Sequence, residues 1–253
     1  VLVRYGQFIK ELAQKEKLDV ADLNTSVVAA LEKAKATDPE TAKKIIQDRV
    51  HPGPGGHLLM AEALLKAWNA PALVTAVEID AAKVQTVRAE NTVVSDLKGS
   101  GGPTWTQEDK ALPMPLNLKD PAMKLAIQSS DFFQALDWQP LKVTGLKGER
   151  FAIKIDGEAV GTFTRQQWEE GVNLAGLSTP MAKQAQAVHD LTVKHNNIHS
   201  TRWRELQVAL AQQPLPHLPQ AMEALDNLEA DLVAQQRQAA QPKTHQYELL
   251  LQE

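Results

Sequence analysis

Asp48 stands three residues before His51, in the run Asp48-Arg49-Val50-His51-Pro52-Gly53-Pro54-Gly55-Gly56-His57. That spacing lets a short loop hold a carboxylate against an imidazole. In such a pair the imidazole takes a hydroxyl proton as general base. The acid accepts from the other ring nitrogen, fixes the tautomer and stabilises the imidazolium. The pair is useful only if a nucleophile lies within hydrogen-bond reach of the ring. This run contains no convincing nucleophile. Without one, the same residues are an ordinary loop pair before a helix, since an isolated acid-x-x-His is common.

Other residue patterns carry weaker chemistry. His195 and His199 are four apart on a helical pattern, a spacing that can present two imidazoles to zinc. A peptidase of the His-Glu-x-x-His type needs Glu after the first His, and here that residue is Asn196. His195 also falls on an apolar seam, so packing is the expected role and no metal is expected. Trp105 follows a Gly-rich loop, where an exposed indole could stack on a sugar, but core packing is the favoured expectation. Trp203 lies between Arg202 and Arg204 and could reach a ligand or partner; helix packing is the plainer expectation.

The elements that must position the pair are readable from periodicity. Residues 4–17 read as an amphipathic helix with Phe8, Ile9, Leu12 and Ala13 on one face. Leu18-Asp19-Val20-Ala21-Asp22-Leu23 reads as a short buried strand. Asn24 or Thr25 can cap a helix over 26–36, and Asp38-Pro39-Glu40 opens another turn. A strong apolar helix runs from His57 to Trp68 and stops at Pro71. Helix, strand, helix in this order suggests part of a parallel α/β sheet.

The texture changes at Pro71. Short β-branched segments at 73–79, 84–89, 92–97, 141–146, 151–155 and 159–163 predict strands. Asp156-Gly157 between the last two predicts a tight hairpin. A helix is expected within 120–136. Thr179-Pro180 starts a long helix to about residue 210, prolines break it, and a second carries Met222, Leu225, Leu228 and Leu232. The Gln/Ala-rich tail is expected to fray. The expected domains are therefore 1–71 (α/β), 72–164 (an antiparallel β domain, sandwich-like) and 165–253 (a helical hairpin).

Composition sets the outer limits. The chain has 253 residues, 43% hydrophobic and 23% charged, the profile of an ordinary globular protein. A net charge of -4 gives no reason to expect nucleic acid or an anionic membrane as partner. No apolar run is long enough to span a bilayer. Cys is absent, which excludes disulfides and thiolate chemistry and leaves the compartment open.

The Asp48-to-His57 block, followed by its apolar helix, resembles the last block of the SGNH/GDSL hydrolases. The close resemblance covers about residues 1–70. Residues 112–116, Ser129-Ser130-Asp131-Phe132, Gly171-Val172-Asn173-Leu174-Ala175 and 189–203 look similar to long bacterial members with a C-terminal extension. The resemblance implies a three-layer domain with a parallel sheet and an acyl-serine mechanism. Asp48 matches the family's acid and His51 its base.

The family's Gly-Asp-Ser nucleophile and its oxyanion Gly and Asn have no counterpart here. Ser26, Ser95, Ser100, Ser129, Ser130, Ser178 and Ser200 all lack that context. The expectation is a C-terminal portion of an ester hydrolase, its nucleophile supplied by a separate chain or a missing segment. Without the other half, an unpaired sheet edge and exposed apolar faces are expected. The resemblance implies no cofactor, favours a periplasmic or secreted location, and suggests an acyl ester, for instance an acylated glycan, as substrate. The competing class is a non-catalytic carbohydrate-binding or interaction protein on a degenerate hydrolase scaffold.

Overall fold

The computed structural model describes residues 2–252 and divides into two units. The first holds the residues up to Leu73 together with Leu116–Trp138. The second holds Val74–Pro115 and the residues from Gln139 onward.

The first unit is helical: α1 (Leu2–Glu16), α2 (Leu23–Thr37), α3 (Pro39–Ala42), α4 (Pro54–Ala67), α5 (Pro121–Gln128) and α6 (Phe132–Leu136). Aspartates set three of the starts. Asp22 accepts from Asn24 N and Thr25 N, Asp38 from Glu40 N and Thr41 N, and Asp120 from Ala122 N and Met123 N. Each carboxylate satisfies N–H groups that have no helical acceptor, and its charge suits the positive end of the helix. Val27, Ala30 and Ala34 of α2 pack with Ile45, with Leu59 of α4 and with Leu125 and Ala126 of α5.

Two expectations fail in this unit. Residues 18–23 are not a strand: Leu18 and Val20 are exposed, Asp22 serves as a cap and Leu23 begins α2. A strand needs a hydrogen-bonded neighbour, and among the described residues this unit offers only the isolated parallel bridge Leu73↔Trp138. The parallel sheet expected within 1–71 is therefore not present there. The amphipathic α1 forms, but Tyr5, Phe8, Ile9 and Leu12 on its apolar face are exposed and only Ala13 is buried.

The second unit carries two sheets. Its strands are β1 (Ala76–Asp80), β2 (Gln85–Glu90), β3 (Thr92–Lys98), β4 (Thr104–Asp109), β5 (Pro140–Thr144), β6 (Arg150–Ile155), β7 (Glu158–Thr164), β8 (Val172–Asn173) and β9 (Thr244–Gln252). One sheet runs β2-β1-β5-β8 and the other β3-β4-β9-β6-β7. Only β1 and β5 pair in parallel; the other neighbours are antiparallel. Val77, Ile79, Leu141 and Val143 from the first sheet share one core with Phe151, Ile153, Tyr247 and Leu249 from the second. The β6–β7 hairpin turns at Asp156-Gly157, both with positive φ (53° and 79°), as their side chains predict.

Helices α7 (Arg165–Glu170), α8 (Pro180–Ser200) and α9 (Leu218–Ala239) complete the unit. Thr179 caps α8 by accepting from Ala182 N, with Pro180 in the first turn. A π-helix, Thr201–Val208, continues from it. Helix α9 does not fray after Leu232 but runs on to Ala239, and the chain then enters β9.

These units redraw the expected boundaries of 71 and 164. Helices α5 and α6 belong with the first unit, because Ala122, Leu125 and Ala126 fill its core. The last third is not all helix, because β9 is the middle strand of the five-stranded sheet.

Candidate functional site

The loop between α3 and α4 holds the acid and the histidine. Asp48 Oδ2 lies 2.6 Å from His51 Nδ1. Asp48 Oδ1 accepts the backbone N–H groups of Val50 (3.0 Å) and His51 (2.7 Å). One carboxylate therefore folds the turn and orients the ring. The His51 side chain, its backbone N–H and that of Val50 hold the Asp48 carboxyl down at about 2. Asp48 is an anion across the range in which an imidazole works as a base. Its bond to Nδ1 leaves Nε2 as the atom free to take a proton. The His51 side chain is 84% exposed, so Nε2 is open to solvent.

The loop is fixed to the core on its far side. Gly53 N donates to Ile45 O at 2.9 Å, and Ile45 is fully buried. Pro54 starts α4, where a missing N–H costs nothing. Gly56 is required by space: a Cβ there would sit 2.8 Å from both Ile45 O and Pro52 Cβ. The Pro-Gly-rich run thus lets α4 begin against the loop that carries the dyad. Between the two dyad residues, Arg49 takes φ +63°, a left-handed conformation that arginine seldom adopts.

Among the described residues of this unit no serine completes the pair. Ser26 is exposed on α2, and Ser129 is buried. Ser130 Oγ donates to Ile127 O and accepts from Phe132 N. Among the described residues the His51 ring bonds to Asp48.

Sequence reasoning missed a second polar cluster in the same unit. Lys66 Nζ of α4 lies 2.6 Å from Asp131 and 3.6 Å from Glu62. Burial, then the neighbouring Asp131, raises the Glu62 carboxyl, while Lys66 lowers that of Asp131. The i, i+4 spacing of Glu62 and Lys66 was the available signal. The cluster ties α4 to the residues that open α6.

The remaining candidates lie in the second unit. Trp105 is buried, stacks on Tyr247 at 5.0 Å and donates through Nε1 to Gln107 Oε1, so it is a core residue. His195 and His199 of α8 both face Glu229 of α9, at 3.5 and 3.1 Å. Among the described residues no group of three or more His, Asp or Glu is arranged to hold a metal. Trp203 is half-exposed in the π-helix, with the Arg204 guanidinium 5.8 Å from its ring. A buried carboxylate, Asp109, accepts from Thr92 Oγ1 (2.7 Å), Gln107 Nε2 (2.7 Å) and Gln139 Nε2 (3.0 Å), and was not foreseen.

No protein-family model and no curated protein matches the sequence. Among solved structures the chain is similar to a gut microbial diltiazem-metabolizing enzyme, with a TM-score of 0.78 and 22% identity. The likeness covers 97% of this chain and 65% of that enzyme, so the chain spans slightly under two thirds of its neighbour's length. At this identity the likeness is one of fold. The chain is a mixed α/β protein with two sheets and several helices. Among the described residues no helix is long and apolar enough to cross a membrane.

Proposed function

We propose that this chain carries the acid–base part of an ester hydrolase of the SGNH/GDSL type. The observation that carries the reading is the 2.6 Å Asp48–His51 contact with its open Nε2. A serine hydroxyl from a segment outside these residues would attack the ester carbonyl as its proton passes to His51 Nε2. The tetrahedral oxyanion then collapses, and the leaving alkoxide takes that proton. Water repeats the sequence on the acyl-serine, with His51 as base again. Asp48 stays ionised throughout and steadies the imidazolium. The oxyanion donors, each usually worth a factor of about 10² to 10³, would come from the same outside segment.

Two features support a second component. The apolar face of α1 is uncovered, and among the described residues no serine of the first unit bonds to His51. The proposed occupant of that face is the nucleophile-bearing segment, whether on a separate chain or continuous with this one. An acylated carbohydrate is the proposed substrate, with short acyl esters as the generic class.

A fluorophosphonate serine probe tests the proposal on the assembled enzyme. The probe should label a serine outside residues 1–253, and His51→Ala should abolish the labelling. Labelling that is indifferent to His51, or glycan binding with no labelling at all, would favour the non-catalytic binding protein instead.

A further inference from the structure

An open groove of about 720 Å³ lies along α2, α3 and the loop that follows, within the 300–1,000 Å³ range usual for small-molecule sites. Leu31, Ala42 and Ile46 give it an apolar lining. Lys35 and Arg49 line it with positive charge, against the single carboxylate of Glu32. Lys43 also reaches it, paired with Glu40 at 2.6 Å. Lys35 and Arg49 have no ion-pair partner among the described residues.

Arg49 joins this groove to the dyad. It sits between Asp48 and His51 in the chain, and its left-handed backbone is closed by the Val50 and His51 N–H bonds to Asp48 Oδ1. The carboxylate that orients the imidazole through Oδ2 therefore also sets, through Oδ1, the backbone from which Arg49 reaches the groove. Unusual backbone held in place by neighbouring groups recurs at ligand sites. A guanidinium and an ammonium over an apolar lining match one kind of molecule: a hydrocarbon body with an anionic end.

We propose that this groove binds an amphiphilic anion, an acyl or aryl body carrying one carboxylate, phosphate or sulfate. That this anion belongs to the substrate of the Asp48–His51 pair rests on the hydrolase reading above; the binding itself does not. The groove then selects anionic esters over neutral and cationic ones.

The test is a titration of the protein with octanoate, octanol and octylammonium, followed by amide chemical shifts. Octanoate should move the signals of Ile46 and Arg49 and bind about tenfold tighter than either control, as expected for one charge-assisted contact. Arg49→Asn removes the cation while keeping a residue that tolerates positive φ. Combined with Lys35→Gln, it should bring octanoate down to the octanol level, with the His51 ring signals unchanged. Absence of binding, equal affinity for all three probes, or an unaffected double variant would overturn the proposal. Selective binding without serine labelling would leave the groove assigned and remove the hydrolase reading. Labelling without octanoate binding would do the reverse.

Discussion

Asp48 engages His51 through both of its carboxylate oxygens: Oδ2 faces ring Nδ1 at 2.6 Å, and Oδ1 accepts the His51 backbone N–H at 2.7 Å. The tautomer of the ring and the conformation of the loop thus depend on one side chain, yet chemistry can separate them.

Asp48→Asn should do so. The amide oxygen still accepts the Val50 and His51 N–H groups, while its NH₂ cannot accept from Nδ1–H. The ring proton should move from Nδ1 to Nε2, visible in nitrogen–proton correlation spectra of His51. In the proposed hydrolase assembly, turnover should fall roughly 10⁴-fold with little loss of stability. A rate near that of the parent would remove His51 from the chemistry.

The same carboxylate predicts a pH limit. Its ordinary value of 3.8 is lowered to about 2 in the folded loop. A depressed carboxyl stabilises the structure above its unfolded value and stops doing so as pH falls through the folded one. The Val50 and His51 N–H groups should therefore keep their protection from solvent exchange down to about pH 4 and lose it between about pH 4 and 2. Loss of that protection well above about pH 4 would show that Asp48 does not hold the turn.

Two glycines should respond in opposite directions to alanine. At Gly56 the new methyl would meet Ile45 O and Pro52 Cβ at 2.8 Å, so the start of α4 must move. A loss of about 1–3 kcal/mol in urea unfolding is expected. Gly6 lies within α1 with nothing within 4 Å of the added atom. Its replacement should stabilise by about 0.5–1 kcal/mol through helix propensity.

Asp109 makes a third test, in the second unit. Burial raises its carboxyl, although Thr92, Gln107 and Gln139 all donate to it. A raised carboxyl favours the fold below its unfolded value, and that contribution is lost as pH rises through the folded one. Asp109→Asn should therefore gain stability relative to the parent between about pH 4 and pH 7 in thermal melts. Asp109→Ala should lose about 1–3 kcal/mol at either pH, because it strands buried donors.

What the sequence made legible was local. The Asp48 turn, the Asp156-Gly157 hairpin and the Thr179-Pro180 helix start all depend on side chains acting within three or four residues of themselves. What it hid was partnership. Leu18 and Val20 alternate as a strand does, but nothing in the described part of their unit pairs with them. In β9 the buried His245, Tyr247 and Leu249 do alternate, yet the Leu249-Leu250-Leu251 run and the Gln/Ala-rich residues before it mask the period. In the Glu62–Lys66–Asp131 cluster the i, i+4 pair could be read by spacing, but Asp131 stands 65 residues beyond Lys66, out of reach of any such reading. The groove likewise emerges only once α2 and α3 are set beside the loop.

The middle position of β9 has a consequence for biosynthesis. Strands β4 and β6 both pair with it and not with each other. Until residues 244–252 clear the ribosomal exit tunnel, both present bare hydrogen-bonding edges across the place it will occupy. The five-stranded sheet thus cannot zip up before β9 emerges, and the nascent chain spends that interval as a target for chaperones or for a neighbouring copy's strand.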